Sequence, residues 1–127
     1  MLNIKNTFSS FSVNDLEKAL EFYSETLGLS VTKDEMGFLN IDLPGGDRAI
    51  VYPKGTDHKP AVFTVLNFVV GDIEEAVDTL TSKGITFEQY EGNIETDEKG
   101  ISRGPGPLIA WFKDPAGNIL SIIEEYE

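Results

Sequence analysis

The chain has 127 residues, 40% of them hydrophobic, no cysteine and a formal charge of −12 at pH 7. That length suits one domain with a sizeable core, and the missing cysteine excludes disulfides, thiolate metal sites and a cysteine nucleophile. The acidity, against ten Lys plus Arg in all, disfavours nucleic acid and anionic membrane surfaces as partners, and it either keeps the protein dispersed or attracts cationic ligands.

From Ile4 to Val13 the chain reads as a strand, then as a helix whose apolar positions Leu16, Ala19, Leu20 and Tyr23 recur at i, i+3, i+4 and i+7. Asn14 with Glu17 reads as a capping box at its start, and Gly28 stops it. Short strands follow near Ser30 to Lys33, Phe38 to Leu43 and Arg48 to Tyr52. The polar stretch PKGTDHKP is a linker, which places His58, the single histidine, in an exposed loop.

A second strand, Ala61 to Val70, leads into a helix with Ile73, Ala76, Val77 and Leu80 on its apolar face, entered at Asp72 with Glu75 and stopped at Gly84. Strands near Thr86 to Tyr90, Leu108 to Lys113 and Ile119 to Glu124 complete this half. Between them EGNIETDEKGISRGPGP, residues 91–107, shows no periodicity and reads as a functional or a disordered loop, with its action as a lid left open. Either its GPGP segment holds the Arg103 guanidinium over the mouth of a cleft, or Arg103 is a surface arginine paired with one of the many nearby acids. The acids on the helices read as dipole partners or solvated groups, and Glu124, Glu125 and Glu127 as an exposed tail.

The two halves repeat each other. FSVNDLEKAL from Phe11 matches FVVGDIEEAV from Phe68 at a spacing of 57, with Asp15 against Asp72. LPGGDRAIVY and DPAGNILSII match at a spacing of 71, with Pro44 against Pro115 and Gly46 against Gly117. Each half is thus strand, helix, three strands: modules 1–53 and 61–127 joined by linker 54–60, within one domain of 127 residues. The expected class is α+β, two βαβββ modules forming a curled mixed sheet around a shared cleft.

Strand alternation assigns the cleft lining. With Phe11 and Val13 packed on the helix side, Phe8, Ser10 and Ser12 face the other way, as do Val65, Asn67 and Val69 when Phe68 and Val70 pack. Ile50 and Tyr52 join them from one hairpin, Ile119, Ser121 and Ile123 from the other. LIAWF is apolar at nearly every position and leaves the face of Trp111 open. Apolar walls with a few hydrogen-bonding groups suit a small-molecule pocket.

Paired βαβββ modules with VNDLEKALEFYSETLGL near the start and WFKDPAGNILSIIE near the end resemble the glyoxalase, bleomycin-resistance and dioxygenase superfamily, the vicinal oxygen chelate proteins. The resemblance implies a divalent metal held by His, Gln or Glu from four strands in its enzymes. Position by position those sites fall on Phe8, Ile50, Val65 and Ser121 here, three side chains without a lone pair and one neutral hydroxyl. No metal or other cofactor is therefore expected.

The resemblance is greatest to the bleomycin-resistance branch, whose members sequester cationic drugs without chemistry and commonly work as dimers. The reading is a metal-free protein that binds a small apolar or cationic molecule and lacks the usual metal ligands. Phe8, Ile50, Val65 and Trp111 would serve as walls, and Ser10, Tyr52, Asn67, Ser121 and Arg103 as polar contacts. A homodimer is expected. No apolar run reaches bilayer-spanning length, and the opening MLNIKNTFSSF lacks the marks of a secretory signal, so the expected location is cytoplasmic. The alternative is a glyoxalase-like lyase or dioxygenase-type enzyme with a non-standard metal or acid–base site, for which Glu88 and Glu91 are the carboxylates near the cleft edge.

Overall fold

In the computed structural model, which describes residues 2–125, the chain divides into two units, Met1–Pro60 and Ala61–Glu127. The first runs β1 (Ser9–Val13), α1 (Leu16–Glu21), a π-helical stretch (Phe22–Thr26), β2 (Ser30–Lys33), β3 (Leu39–Asp42), β4 (Arg48–Pro53) and a 3₁₀ turn (Gly55–Asp57). The second runs β5 (Thr64–Val70), α2 (Ile73–Ser82), β6 (Ile101–Ser102), β7 (Ile109–Lys113) and β8 (Ile119–Glu124). Each unit holds one four-stranded mixed sheet, in the orders β1-β4-β3-β2 and β5-β8-β7-β6. In each unit the first and last strands in chain order, β1 with β4 and β5 with β8, pair in parallel, and the remaining pairs are antiparallel.

Alternation along the strands decides which face meets the helix. In the first unit Val13, Leu39, Ile41, Ala49 and Val51 are fully buried, and α1 lies against β4. Tyr23 closes this core, its ring 5.9 Å from Phe11 and 5.1 Å from Phe22. In the second unit Ala110, Phe112, Leu120 and Ile122 are buried, with Ile73 and Val77 of α2 buried opposite. Each fully buried Leu, Ile, Val or Phe contributes about 1.5–3 kcal/mol.

The helix starts differ from expectation in one residue. Asp15, not Asn14, caps α1, its Oδ1 accepting the Lys18 N–H at 3.1 Å, and Asp72 caps α2 by accepting from Glu75 at 3.1 Å. A side chain must sit at the last non-helical residue to reach the third N–H beyond it, and that residue is Asp15. Glu124 is not part of a free tail either: in β8 its Oε2 accepts the Ile73 N–H at 3.2 Å, satisfying another donor at the start of α2. Glu127 lies outside the described residues. At the other end of α2 the Ile85 N–H reaches Leu80 O at 3.1 Å and Gly84 N–H reaches Thr81 O at 3.0 Å, with Gly84 at φ 97°. That is a Schellman stop, which requires the left-handed backbone glycine tolerates.

The strands also depart in extent. β1 and β5 begin later than read, at Ser9 and Thr64, and Thr86 to Tyr90 is not a strand, though Glu88 N–H donates to Trp111 O at 2.8 Å. The strand that edges the second sheet is instead β6, inside the segment read as loop. It follows the turn motif of DPAGN, Asp-x-x-Gly, which the chain uses three times. Asp34, Asp97 and Asp114 each accept through Oδ1 from the N–H groups two and four residues on, all at 2.9–3.0 Å. Each turn closes with the aspartate N–H donating to the carbonyl four residues on. The glycines, 37, 100 and 117, stand at φ 86°, 91° and 85°.

Candidate functional site

On the first sheet, the face turned from α1 carries Ser10 and Ser12 of β1, Ile50 and Tyr52 of β4, and Asn40 of β3. Ser10 stands in register with Ile50 and Ser12 with Tyr52, while Asn40 flanks Ile50 on the other side. Phe8 lies just before β1, 53% exposed, with the Arg48 guanidinium 5.8 Å from its ring centroid. His58 departs from the expected exposed position: it is half-buried, and its Nδ1 lies 2.8 Å from Ser12 Oγ. The linker histidine thus folds back onto this face, a tertiary contact for which the sequence carries no local signal.

On the second sheet the corresponding face carries Asn67 and Val69 of β5, Ile119, Ser121 and Ile123 of β8, and Ile109 and Trp111 of β7, while Val65, expected on it, falls at a register shift between Thr64 and Leu66 where alternation breaks. Asn67, Ser121 and Trp111 form one cross-strand row. Ser121 is fully buried, and its hydroxyl donates to Asn67 Oδ1 at 2.5 Å. Register resolves the face of Trp111. It lies opposite in sense to buried Ala110 and Phe112, half-buried, with the Tyr90 ring edge-on at 5.5 Å.

Beside Trp111 the second unit holds a cavity of about 760 Å³. Ile94, Ile109, Trp111, Pro105 and Pro107 give it apolar lining, and Thr96, Asp97, Ser102 and Arg103 give it polar groups. Its volume falls in the range of small-molecule pockets, roughly 300–1,000 Å³. Of the residues singled out from sequence, Arg103 and Trp111 meet here, whereas Asn67 and Ser121 pair on the sheet face, Val65 lies at the register shift of β5, and Phe8, Ser10, Ile50 and Tyr52 belong to the other unit. Ile94, Thr96 and Ile109 were not singled out, because a loop without periodicity offers no pattern that selects them.

Arg103 is held by carboxylates. Its Nε donates to Asp97 Oδ2 at 2.8 Å and its Nη2 to Glu74 Oε1 at 3.1 Å. Lys99 Nζ stands beside it, 3.1 Å from Asp78 and 3.7 Å from Glu74. The Asp97 hydrogen bond raises the already high pKa of Arg103, and the Asp78 hydrogen bond raises that of Lys99. Burial pushes the Asp97 carboxyl up, but the Ile101 N–H, Arg103 and the Lys99 N–H together outweigh it and leave the pKa below the ordinary value. Glu88 lies 3.5 Å from Lys113.

The four positions Phe8, Ile50, Val65 and Ser121 bring no imidazole or carboxylate to either sheet face. Among the described residues no group of three or more His, Cys, Asp or Glu is placed to hold a metal ion, and no helix is long and apolar enough to cross a membrane.

Residues 7–122 match the model of the Glyoxalase/Bleomycin resistance protein/Dioxygenase superfamily. The chain is 27% identical over 124 residues to the lactoylglutathione lyase of Escherichia coli O157:H7, covering 89% of this chain and 87% of that one. A crystal structure of a superfamily member from Sphaerobacter thermophilus DSM 20745 is 28% identical, with a TM-score of 0.69, covering 98% of this chain and 100% of that one. TnmS3, an antibiotic binding protein from Streptomyces sp. CB03234, superposes with a TM-score of 0.72 at 22% identity over 99% of this chain and 100% of its own, a likeness of fold.

Proposed function

This chain belongs to the Glyoxalase/Bleomycin resistance protein/Dioxygenase superfamily, and we propose that within it the protein binds a small apolar or cationic molecule without a resident metal. The observation that carries the reading is chemical. Where the superfamily's enzymes place His, Gln or Glu, this chain has Phe8, Ile50 and Val65, which offer no lone pair, and Ser121, whose hydroxyl is buried and already donates to Asn67. These residues do not fit a catalytic zinc, nickel or iron, which requires imidazole or carboxylate donors at about 2 Å.

Two further observations support binding. The cavity beside Trp111 combines apolar walls with a few polar groups, and the fold is shared with an antibiotic binding protein. A formal charge of −12 raises the local concentration of cations and disfavours anions. In this reading Trp111 supplies apolar surface to the ligand within the second unit. Arg103 borders the site, and the protein acts as a cytoplasmic homodimer.

A thermal-shift panel of cationic antibiotics and aromatic metabolites tests the proposal. A ligand at a hundred times its Kd stabilises the folded state by about 2.7 kcal/mol, so a rise of several degrees is expected from at least one compound. Elemental analysis of protein purified without chelator runs beside it. Stoichiometric zinc, nickel or iron, with lyase turnover, would overturn the proposal in favour of an enzyme like the E. coli relative.

A further inference from the structure

The wall of the cavity in the second unit is held in two different ways. Its Asp97 turn is fixed by backbone hydrogen bonds and by packing, since a Cβ on Gly100 would lie 2.6 Å from the Phe87 Cβ. Beyond β6 the segment Arg103-Gly104-Pro105-Gly106-Pro107 has no such support. A Cβ on Gly104 or Gly106 would meet nothing within 4 Å, and among the described residues no loop backbone hydrogen bond falls within 103–107. What ties this strap down is Arg103, through Asp97 at 2.8 Å and Glu74 of α2 at 3.1 Å.

We propose that residues 103–107 gate the cavity and that Arg103 is the latch, closed while it holds Glu74 and Asp97 and open when those pairs break. The proposal rests on the cavity being the ligand site. The latch is weak by construction: the side chains of Arg103, Glu74 and Asp97 are 44%, 53% and 31% exposed. Ion pairs so placed shift an equilibrium by only a fewfold each and are screened by salt. Prolines restrict the strap's own conformations while Gly104 and Gly106 supply hinges within it, so release of Arg103 lets the segment swing at those positions. The latch also bears on which guest enters. Arg103 is already shared by two carboxylates, and Glu95, which lines the same cavity, forms no ion pair among the described residues. An anion must displace Glu74 or Asp97, whereas a neutral or cationic guest need not.

The test uses the full chain without ligand. Trp111, the single tryptophan, lines the cavity and reports its opening through acrylamide quenching. Trypsin cleavage of the Arg103–Gly104 bond reports release of the strap. Glu74→Gln is expected to raise both by about threefold, and so is raising NaCl from about 20 mM to about 500 mM on the unaltered protein. Arg103→Met should reproduce the rise in quenching and Arg103→Lys should give an intermediate value. Quenching and cleavage that are indifferent to salt and unchanged in Glu74→Gln, with an unchanged far-UV spectrum, would overturn the gate. The salt titration decides even where a variant fails to fold. Salt-dependent opening together with a silent ligand panel would uphold the gate while removing the binding reading.

Discussion

Asn67 and Ser121 face each other across β5 and β8, and their counterparts in the repeat, Ser10 and Ile50, face each other across β1 and β4. The two sequence spacings, 57 for the first strands and 71 for the last, therefore converge on one cross-strand register used twice. In the second unit that register carries a 2.5 Å hydrogen bond from a fully buried hydroxyl. Ser121→Ala is expected to lower stability by about 1 kcal/mol, the net worth of one such bond, and to shift the urea midpoint without changing the slope. An unchanged midpoint would show that the exposed Asn67 amide makes no net contribution there.

The helix caps give a paired prediction. Asp15→Ala and Asp72→Ala should each cost about 1 kcal/mol, read as a fall of a few degrees in melting temperature. Asn14→Ala, one residue away, should leave it unchanged. Equal effects at positions 14 and 15 would contradict the capping geometry of α1.

Two glycines with nearly the same backbone separate conformation from packing. Gly37 stands at φ 86° with open space around it, and Gly100 at φ 91° against Phe87. Gly37→Ala should cost about 1–2 kcal/mol for the left-handed backbone alone. Gly100→Ala should cost about 3 kcal/mol or more, because Phe87 must also move. Chemical denaturation of the two variants side by side measures the difference.

Acid should find Asp34 and Asp97 together. N–H donation from Phe38 leads the causes that hold Asp34 below its ordinary pKa; at Asp97 burial acts in the opposite direction and hydrogen bonds prevail. A depressed folded pKa means stability that is present above the unfolded value and lost as pH falls through the folded one. The loss belongs below about pH 4, the ordinary aspartate range. NMR titration of the two carboxyls should show midpoints below that of an unstructured peptide, and Asp97→Asn should flatten the acid limb of the stability curve.

The contact between Ser12 and His58 predicts coupling between a strand and the linker. In a double-mutant cycle, Ser12→Ala and His58→Ala should be non-additive by about 0.5–1.5 kcal/mol. Additive effects would mean that the 2.8 Å approach contributes nothing to stability.

What could be read in advance divides along physical lines. Both helices, seven of the eight strands placed at their entry or after them, and the DPAGN hairpin were legible, because period, glycine stops and turn chemistry are local. The facing of Ser10, Ile50, Tyr52, Asn67 and Ser121 followed from alternation alone. β6 was not legible: two residues carry no period, and only the Asp-x-x-Gly turn before it, seen also at Asp34 and Asp114, could have announced a hairpin. The cap at Asp15 was legible from the repeat, since Asp72 aligns with it, yet adjacent Asn14 offered equally good capping chemistry. Partners of Arg103 and His58 were beyond reach, because a chain with 22 Asp plus Glu offers an arginine many acids and only packing selects among them.

The parallel seams β1–β4 and β5–β8 join the beginning of each unit to its end. On the ribosome, β2 and β3 can zip up as soon as they emerge, but β1 waits with a bare edge until residues 48–53 have left the exit tunnel. β5 waits longer, for residues 119–124. A nascent chain halted before Ile119 therefore displays Leu66 and Phe68 on an unpaired strand, the kind of surface chaperones bind and neighbouring chains aggregate on.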